Sequence, residues 1–207
     1  MDLTVDDARA LVNDEALWPR LRDFLWDFAP QIHPSWLPEI PLGAELSSSP
    51  RAKAWLLETL GVTPCFHTFP KEDFSRIALL DGALLLDLVR WLGVLHNAPA
   101  LRRVTDGARV RALKTALPGA YPEAFPYTAY FRGADTGEDA PAPEAVLADG
   151  MGILLAVLKN APAPVVDRLR KKLPRELSDV EVGKAPAPGE FARLLKLKFR
   201  EAYSLCC

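Results

Sequence analysis

Apolar residues at Leu84, Leu85, Leu88, Val89, Leu92 and Leu95 recur at helical spacing within the stretch Phe74–Leu117. Their stripe is too wide for a coiled-coil seam and must face a core, so this segment obliges the rest of the chain to cover it. Asp81 stands where a short carboxylate accepts from the orphan amides of a first helical turn. A second run follows Asp106-Gly107, with Ala108, Val110, Ala112, Leu113 and Leu117 directed inward and Pro118-Gly119 ending it. Between them, Asn97-Ala98-Pro99 offers a cap and an early helical proline ahead of Leu101 and Val104. The spacing predicts three helices joined by tight corners. Helices this rich in leucine are buried by other helices, which the flanks must supply.

The flanks carry the required patterns. Thr4-Val5-Asp6-Asp7 opens a short helix with Ala8, Leu11 and Val12 on one face. Leu21, Phe24, Leu25 and Phe28 define a second helix, which ends at Pro30. Residues 30–43 carry Pro30, Pro34, Pro38 and Pro41, which forbid a regular helix or an interior strand. Because Ile32, Trp36, Leu37, Ile40 and Leu42 accompany those prolines, the loop is expected to lie pinned on the core with Trp36 largely buried. Ser49-Pro50 starts a helix through Ala52, Trp55, Leu56 and Leu60 to Gly61. Farther on, Val146, Leu147, Gly150, Met151, Leu154, Leu155 and Leu158 keep helical spacing straight through Gly150. That glycine is expected to be a close-packing point and not a break. VVDRLRKKLP is a one-sided helix stopped by Pro174. In the last helix Phe191, Leu194, Leu195 and Phe199 lie opposite Arg193, Lys196 and Arg200. No strand-period segment of useful length occurs. The fold class is therefore all-α, a single orthogonal multi-helix bundle of about eight or nine helices. One helical domain spans 1–207, with flexible loops near 133–142 and 175–189.

Composition narrows the function. With 49% apolar and 25% charged residues and a formal net charge of −2, the chain has a globular make-up and no general affinity for nucleic acid. No window approaches the roughly 18–20 apolar residues of a membrane span. The acidic N-terminus lacks the charge pattern of a secretory signal, which predicts a cytoplasmic protein. Cys65 and the terminal pair Cys206-Cys207 are too few for a disulfide framework, and the pair is expected to be a reduced, frayed tail. His33, His67 and His96 lack zinc-ligand spacing, so no metal is expected. Cys65 and His67 lie two residues apart without an orienting third group, and Ser47-Ser48-Ser49 suits a helix start better than a nucleophile. No catalytic residue and no cofactor is assigned.

Charge is unevenly placed. Lys159–Glu201 holds eleven Lys or Arg against six Asp or Glu, net +5, and residues 1–15 hold five acids against one arginine, net −4. Such polarity can orient a protein between two partners, although single charges are more often ordinary solvated ones. Arg102, Arg103, Arg109 and Arg111 flank the corner at Thr105-Asp106-Gly107 and are the candidate partner-binding residues. The same corner imitates a helix-turn-helix, but its apolar residues are needed inside and no basic arm accompanies it. Pairing of the arginines with Asp87, Asp106 or other local acids is the competing explanation.

Ile32-His33-Pro34-Ser35-Trp36-Leu37-Pro38, the IPLG after it and SPRAKAWLLETLGV resemble the SctK, or YscK, family of type III secretion proteins. So do ALLDGALLLDLVRWLGVLHNAPALRRVTDGARVRAL, MGILLAVLKN and RLRKKLP, in the same order, over roughly residues 24–174. The resemblance implies an all-helical, non-enzymatic cytoplasmic adaptor of the injectisome's sorting platform. It would link the cytoplasmic domain of the inner-membrane ring protein (SctD-like) to the pod protein (SctQ-like), and so to the ATPase complex. The location implied is peripheral to the inner membrane, through the apparatus. The family supplies no binding motif to transfer by position. The alternative is a small helical enzyme or ligand-binding protein with a site under the 30–43 loop, using His33. With polar residues on one side of every helix and no heptad seam, a monomer or weak dimer is expected in isolation.

Overall fold

The structure, a computed structural model, describes residues 17–37, 49–65, 67, 69–70, 73–131 and 140–207. The helix expected at Thr4–Val12, the loop residues Ile40 and Leu42, and Ser47-Ser48 lie outside them. The chain is all-helical, as the periodicity requires. Among the described residues there are nine α-helices, five short 3₁₀ segments and no strand. The helices are α1 (Leu17–Leu25), α2 (Pro50–Thr59), α3 (Gly82–His96), α4 (Ala98–Leu101) and α5 (Gly107–Ala116). They continue with α6 (Pro143–Val157), α7 (Ala163–Lys171), α8 (Pro188–Lys198) and α9 (Arg200–Cys206). These elements form two compact units. Of the described residues, the first unit takes in those up to Gly82 together with 161–178, and the second takes in 83–160 and 179–205.

In the first unit, α1 buries Leu17, Leu21 and Phe24. Phe24 meets Phe28 and Phe69 edge-on, with ring centroids 5.7 and 5.5 Å apart. The Ser49 hydroxyl accepts from the Ala52 amide and starts α2, as expected of Ser-Pro. Only Leu56 of α2 is buried, and Trp55 is exposed. The segment Phe74–Leu79, which periodicity does not single out as 3₁₀, buries Ser75 through Leu79 completely or nearly so.

The described part of the proline-rich loop, residues 30–37, is pinned down. The His33 amide donates to the Lys171 carbonyl (2.8 Å), and Trp36 Nε1 donates to the Leu173 carbonyl (3.0 Å). Trp36 itself is half-buried, and its outer face is covered by a side chain. Lys171 Nζ lies 3.7 Å from the ring centroid. Trp36→Ala is therefore expected to cost about 2 kcal/mol, less than a full core truncation. Urea denaturation checks this, and a loss under about 0.5 kcal/mol would mean the loop is not held by this ring.

In the second unit, α3 and α6 cross at a pair of glycines. A Cβ at Gly150 would stand 2.0 Å from the Val89 carbonyl oxygen, and one at Gly93 would stand 2.0 Å from that of Val146. Real carbon–oxygen contacts are never this short, so both positions must be glycine for the backbones to touch. Gly150 is thus the close-packing point its neighbours imply. Asn97 departs from expectation. Its side chain makes no cap and turns inward, donating to the Gly93 carbonyl (3.1 Å) and to Asp149 (2.8 Å). A buried amide so close to a carboxylate and a carbonyl is better satisfied there than at a frayed turn. The stretch after Ser178 is anchored in this unit by the Gly183 amide, which donates to the Gly152 carbonyl (2.9 Å). The C-terminus is not frayed, since α9 continues to Cys206 and that thiol is buried, leaving Cys207 exposed.

Candidate partner-binding site

The corner between α4 and α5 is set by local chemistry. The Asp106 carboxylate accepts from the amides of Ala108 (3.4 Å) and Arg109 (2.9 Å) and so fixes the start of α5. The helix then turns outward more than its apolar residues suggest. Leu113 is its one buried residue, Val110 is half-buried, and Ala108 and Ala112 are exposed. Alanine buries too little area to hold a helix face against a core when cations share that face. Consequently Arg102, Arg103, Arg109, Arg111 and Lys114 are all exposed.

Two of the four candidate arginines brace the corner. Arg102 Nη2 donates to the Phe125 carbonyl (2.6 Å) and to Thr128 Oγ1 (2.8 Å), with its guanidinium over the Phe125 ring. Arg109 Nη2 donates to the Ala140 carbonyl. Arg103 and Arg109, with Ala100, Val104, Thr105, Asp106 and Ala140, line a depression of about 210 Å³. The two acids nearest in sequence have other work. Asp87 pairs with Arg90 (2.7 Å), and Asp106 is occupied by backbone amides.

The residues weighed for catalysis serve the fold. His33 Nδ1 accepts from the Ser35 amide (3.2 Å) and caps a 3₁₀ turn. Burial pushes the Cys65 thiol up, against the pull of Arg168, so it stays protonated and poorly nucleophilic at neutral pH. Burial likewise lowers His67, whose Nε2 lies 3.2 Å from Ser75 Oγ. No group of three or more metal-ligating side chains converges among the described residues. No helix among them is long and apolar enough to cross a membrane.

Sequence reasoning missed two cations. Arg168 and Lys172 count toward the basic stretch, yet both are buried in the first unit, at 3% and 1% exposure. Arg168 Nη1 donates to the Phe24 and Leu25 carbonyls and Nη2 to that of Thr63 (3.2 Å), with the guanidinium over Phe24 and Phe28. Lys172 Nζ donates to the carbonyls of Ala78 and Leu80, both at 2.8 Å. Burial lowers its pKa to about 7. The signal was present: Val165, Arg168, Leu169 and Lys172 follow the i, i+3, i+4, i+7 rule, which places both cations on the apolar stripe.

Residues 22–122 match the family described as YOP proteins translocation protein K (YscK), the family named from the sequence. The matched span runs from α1 past α5 and includes all four candidate arginines. That family is one of translocation-related proteins of type III secretion. No curated protein and no solved structure matches the chain.

Proposed function

We propose that the protein is a non-enzymatic cytoplasmic adaptor of the type III secretion sorting platform. It joins the cytoplasmic domain of the inner-membrane ring protein to the pod protein, and through it to the ATPase complex. The family match over residues 22–122 carries this reading. The exposed arginine corner supports it, because guanidiniums pair bidentately with carboxylates and are enriched at protein interfaces. Arg102 and Arg109, tied to backbone carbonyls, hold the corner rigid. Arg103 and Arg111, exposed beside them, contribute to the surface that meets acidic residues of one partner.

Charge reversal tests the assignment. Arg103→Glu with Arg111→Glu leaves the bracing bonds of Arg102 and Arg109 in place, so the far-ultraviolet circular dichroism should still show the helical fold. Affinity for the ring-protein domain or the pod protein should fall about tenfold, and the remaining binding should depend less on salt. A folded double variant that binds both partners with unchanged affinity would remove the arginines from the interface.

A further inference from the structure

The corner does not end at its arginines. Arg102 is bonded to Phe125 and Thr128, and the chain from there reaches Tyr130 within two residues. Tyr130 is 45% exposed and lies under Arg193 of α8, whose guanidinium carbon is 5.6 Å from the ring centroid. Tyr127 of the same segment packs edge-on against Trp91 at 5.1 Å, and Lys198 Nζ sits 4.6 Å from the centroid of Trp91. One aromatic segment thus carries cations at both of its ends. It connects the arginine corner, inside the family match, to a helix outside it.

Helix α8 is built to show this charge. It buries Phe191, Leu194 and Leu195, which leaves Arg193, Lys196 and Lys198 exposed. Leu197, between two lysines, is 47% exposed. Along the segment 118–131, α8 and α9 the acids are Glu123, Glu190 and Glu201, against Arg193, Lys196, Lys198 and Arg200. An aromatic ring beneath a cation limits the positions the side chain samples, so less entropy is lost when a carboxylate arrives.

We propose that the partner-binding surface continues from the arginine corner across Phe125–Tyr130 onto α8. Its occupant is an acidic segment of a protein partner whose carboxylates meet Arg193 and Lys196 and whose apolar side chain covers Leu197. The proposal rests on the adaptor reading for the partner's identity and on the cation–aromatic geometry for the surface itself. A single partner spans both the corner and α8.

Arg193→Glu with Lys196→Glu tests this in the full chain, with Arg193→Gln and Lys196→Gln as a milder variant should reversal disturb folding. Binding is measured to the ring-protein domain, to the pod protein, to a synthetic peptide of glutamate and leucine, and to phosphatidylglycerol vesicles. The expected result is an affinity about tenfold lower for the same partner that the Arg103/Arg111 variant loses, with the other partner unaffected. The glutamate–leucine peptide should bind the wild type more tightly than either α8 variant. Loss of the other partner alone, or no loss of either, overturns the continuous surface. Should the wild type bind neither partner, the adaptor reading fails by itself and the peptide decides the surface. Binding to the vesicles but not to the peptide overturns the protein occupant in favour of lipid.

Discussion

Gly150→Ala should destabilise the protein by at least about 3 kcal/mol, a large loss for the addition of one methyl group. The added carbon would stand 2.0 Å from the Val89 carbonyl oxygen and 2.8 Å from the Gly93 amide nitrogen. Both obstacles are backbone atoms of a buried helix, so no side chain can rotate aside and α3 and α6 must move apart. Their separation would strip packing from Leu88, Val89, Leu92, Met151 and Leu154, all fully buried. Gly189→Ala is the control, because nothing lies within 4 Å of a Cβ placed there. Thermal unfolding followed by far-ultraviolet circular dichroism compares the two. A Gly150→Ala variant that melts with the wild type would mean the helices do not touch through their backbones.

Lys172→Met should cost about 2–4 kcal/mol, although methionine matches the lysine stem in shape and is the more apolar residue. The loss comes from the carbonyls of Ala78 and Leu80, which the ammonium satisfies and a thioether cannot. The same lysine should make stability depend on pH with a definite sign. Its folded pKa, about 7, lies below the ordinary lysine value of 10.5, because burial disfavours the charged form. Above pH 7 the unfolded chain holds a proton that the folded chain has released, so stability rises with pH across that window. From pH 7 to 8.5 the rise is on the order of 1–2 kcal/mol. This interval lies above the range of His67, which burial lowers from 6.5, and below that of Cys65, which burial raises from 9.0. Urea midpoints at the two pH values measure it, and the Lys172→Met variant should lose the slope. A wild type whose stability does not change over this interval would show that the ammonium stays charged in the fold.

What can be foreseen from the sequence follows from which forces act locally. Ser49 and Asp106 cap helices because their side chains need only their own next turn, and the unbroken apolar spacing on either side of Gly150 places that glycine. Asn97 misleads because Asp149, far along the chain, draws its amide inward. The covering of Trp36 by Lys171 could not be foreseen, since the pairing joins segments far apart in the chain. Arg168 and Lys172 look solvated by residue type, and only their place on the apolar stripe that begins in α7 gives them away. Their partners are backbone carbonyls of distant segments, which no residue pattern announces. For the candidate site, the arginines are legible as a cluster. The bonds that tie Arg102 and Arg109 down run to the carbonyls of Phe125 and Ala140, which composition cannot show. The cations of α8 are visible as a polar side, but their link to the corner needs the rings of Tyr130 and Trp91.

Reconstitution of three purified components tests the adaptor role most directly. The ring protein's cytoplasmic domain and the pod protein are mixed with and without this chain, and the mixtures are resolved by size exclusion with light scattering. A ternary complex is expected only when the chain is present, with each pair containing the chain also observed. A chain that binds neither protein, or for which the two compete instead of binding together, would contradict the adaptor role.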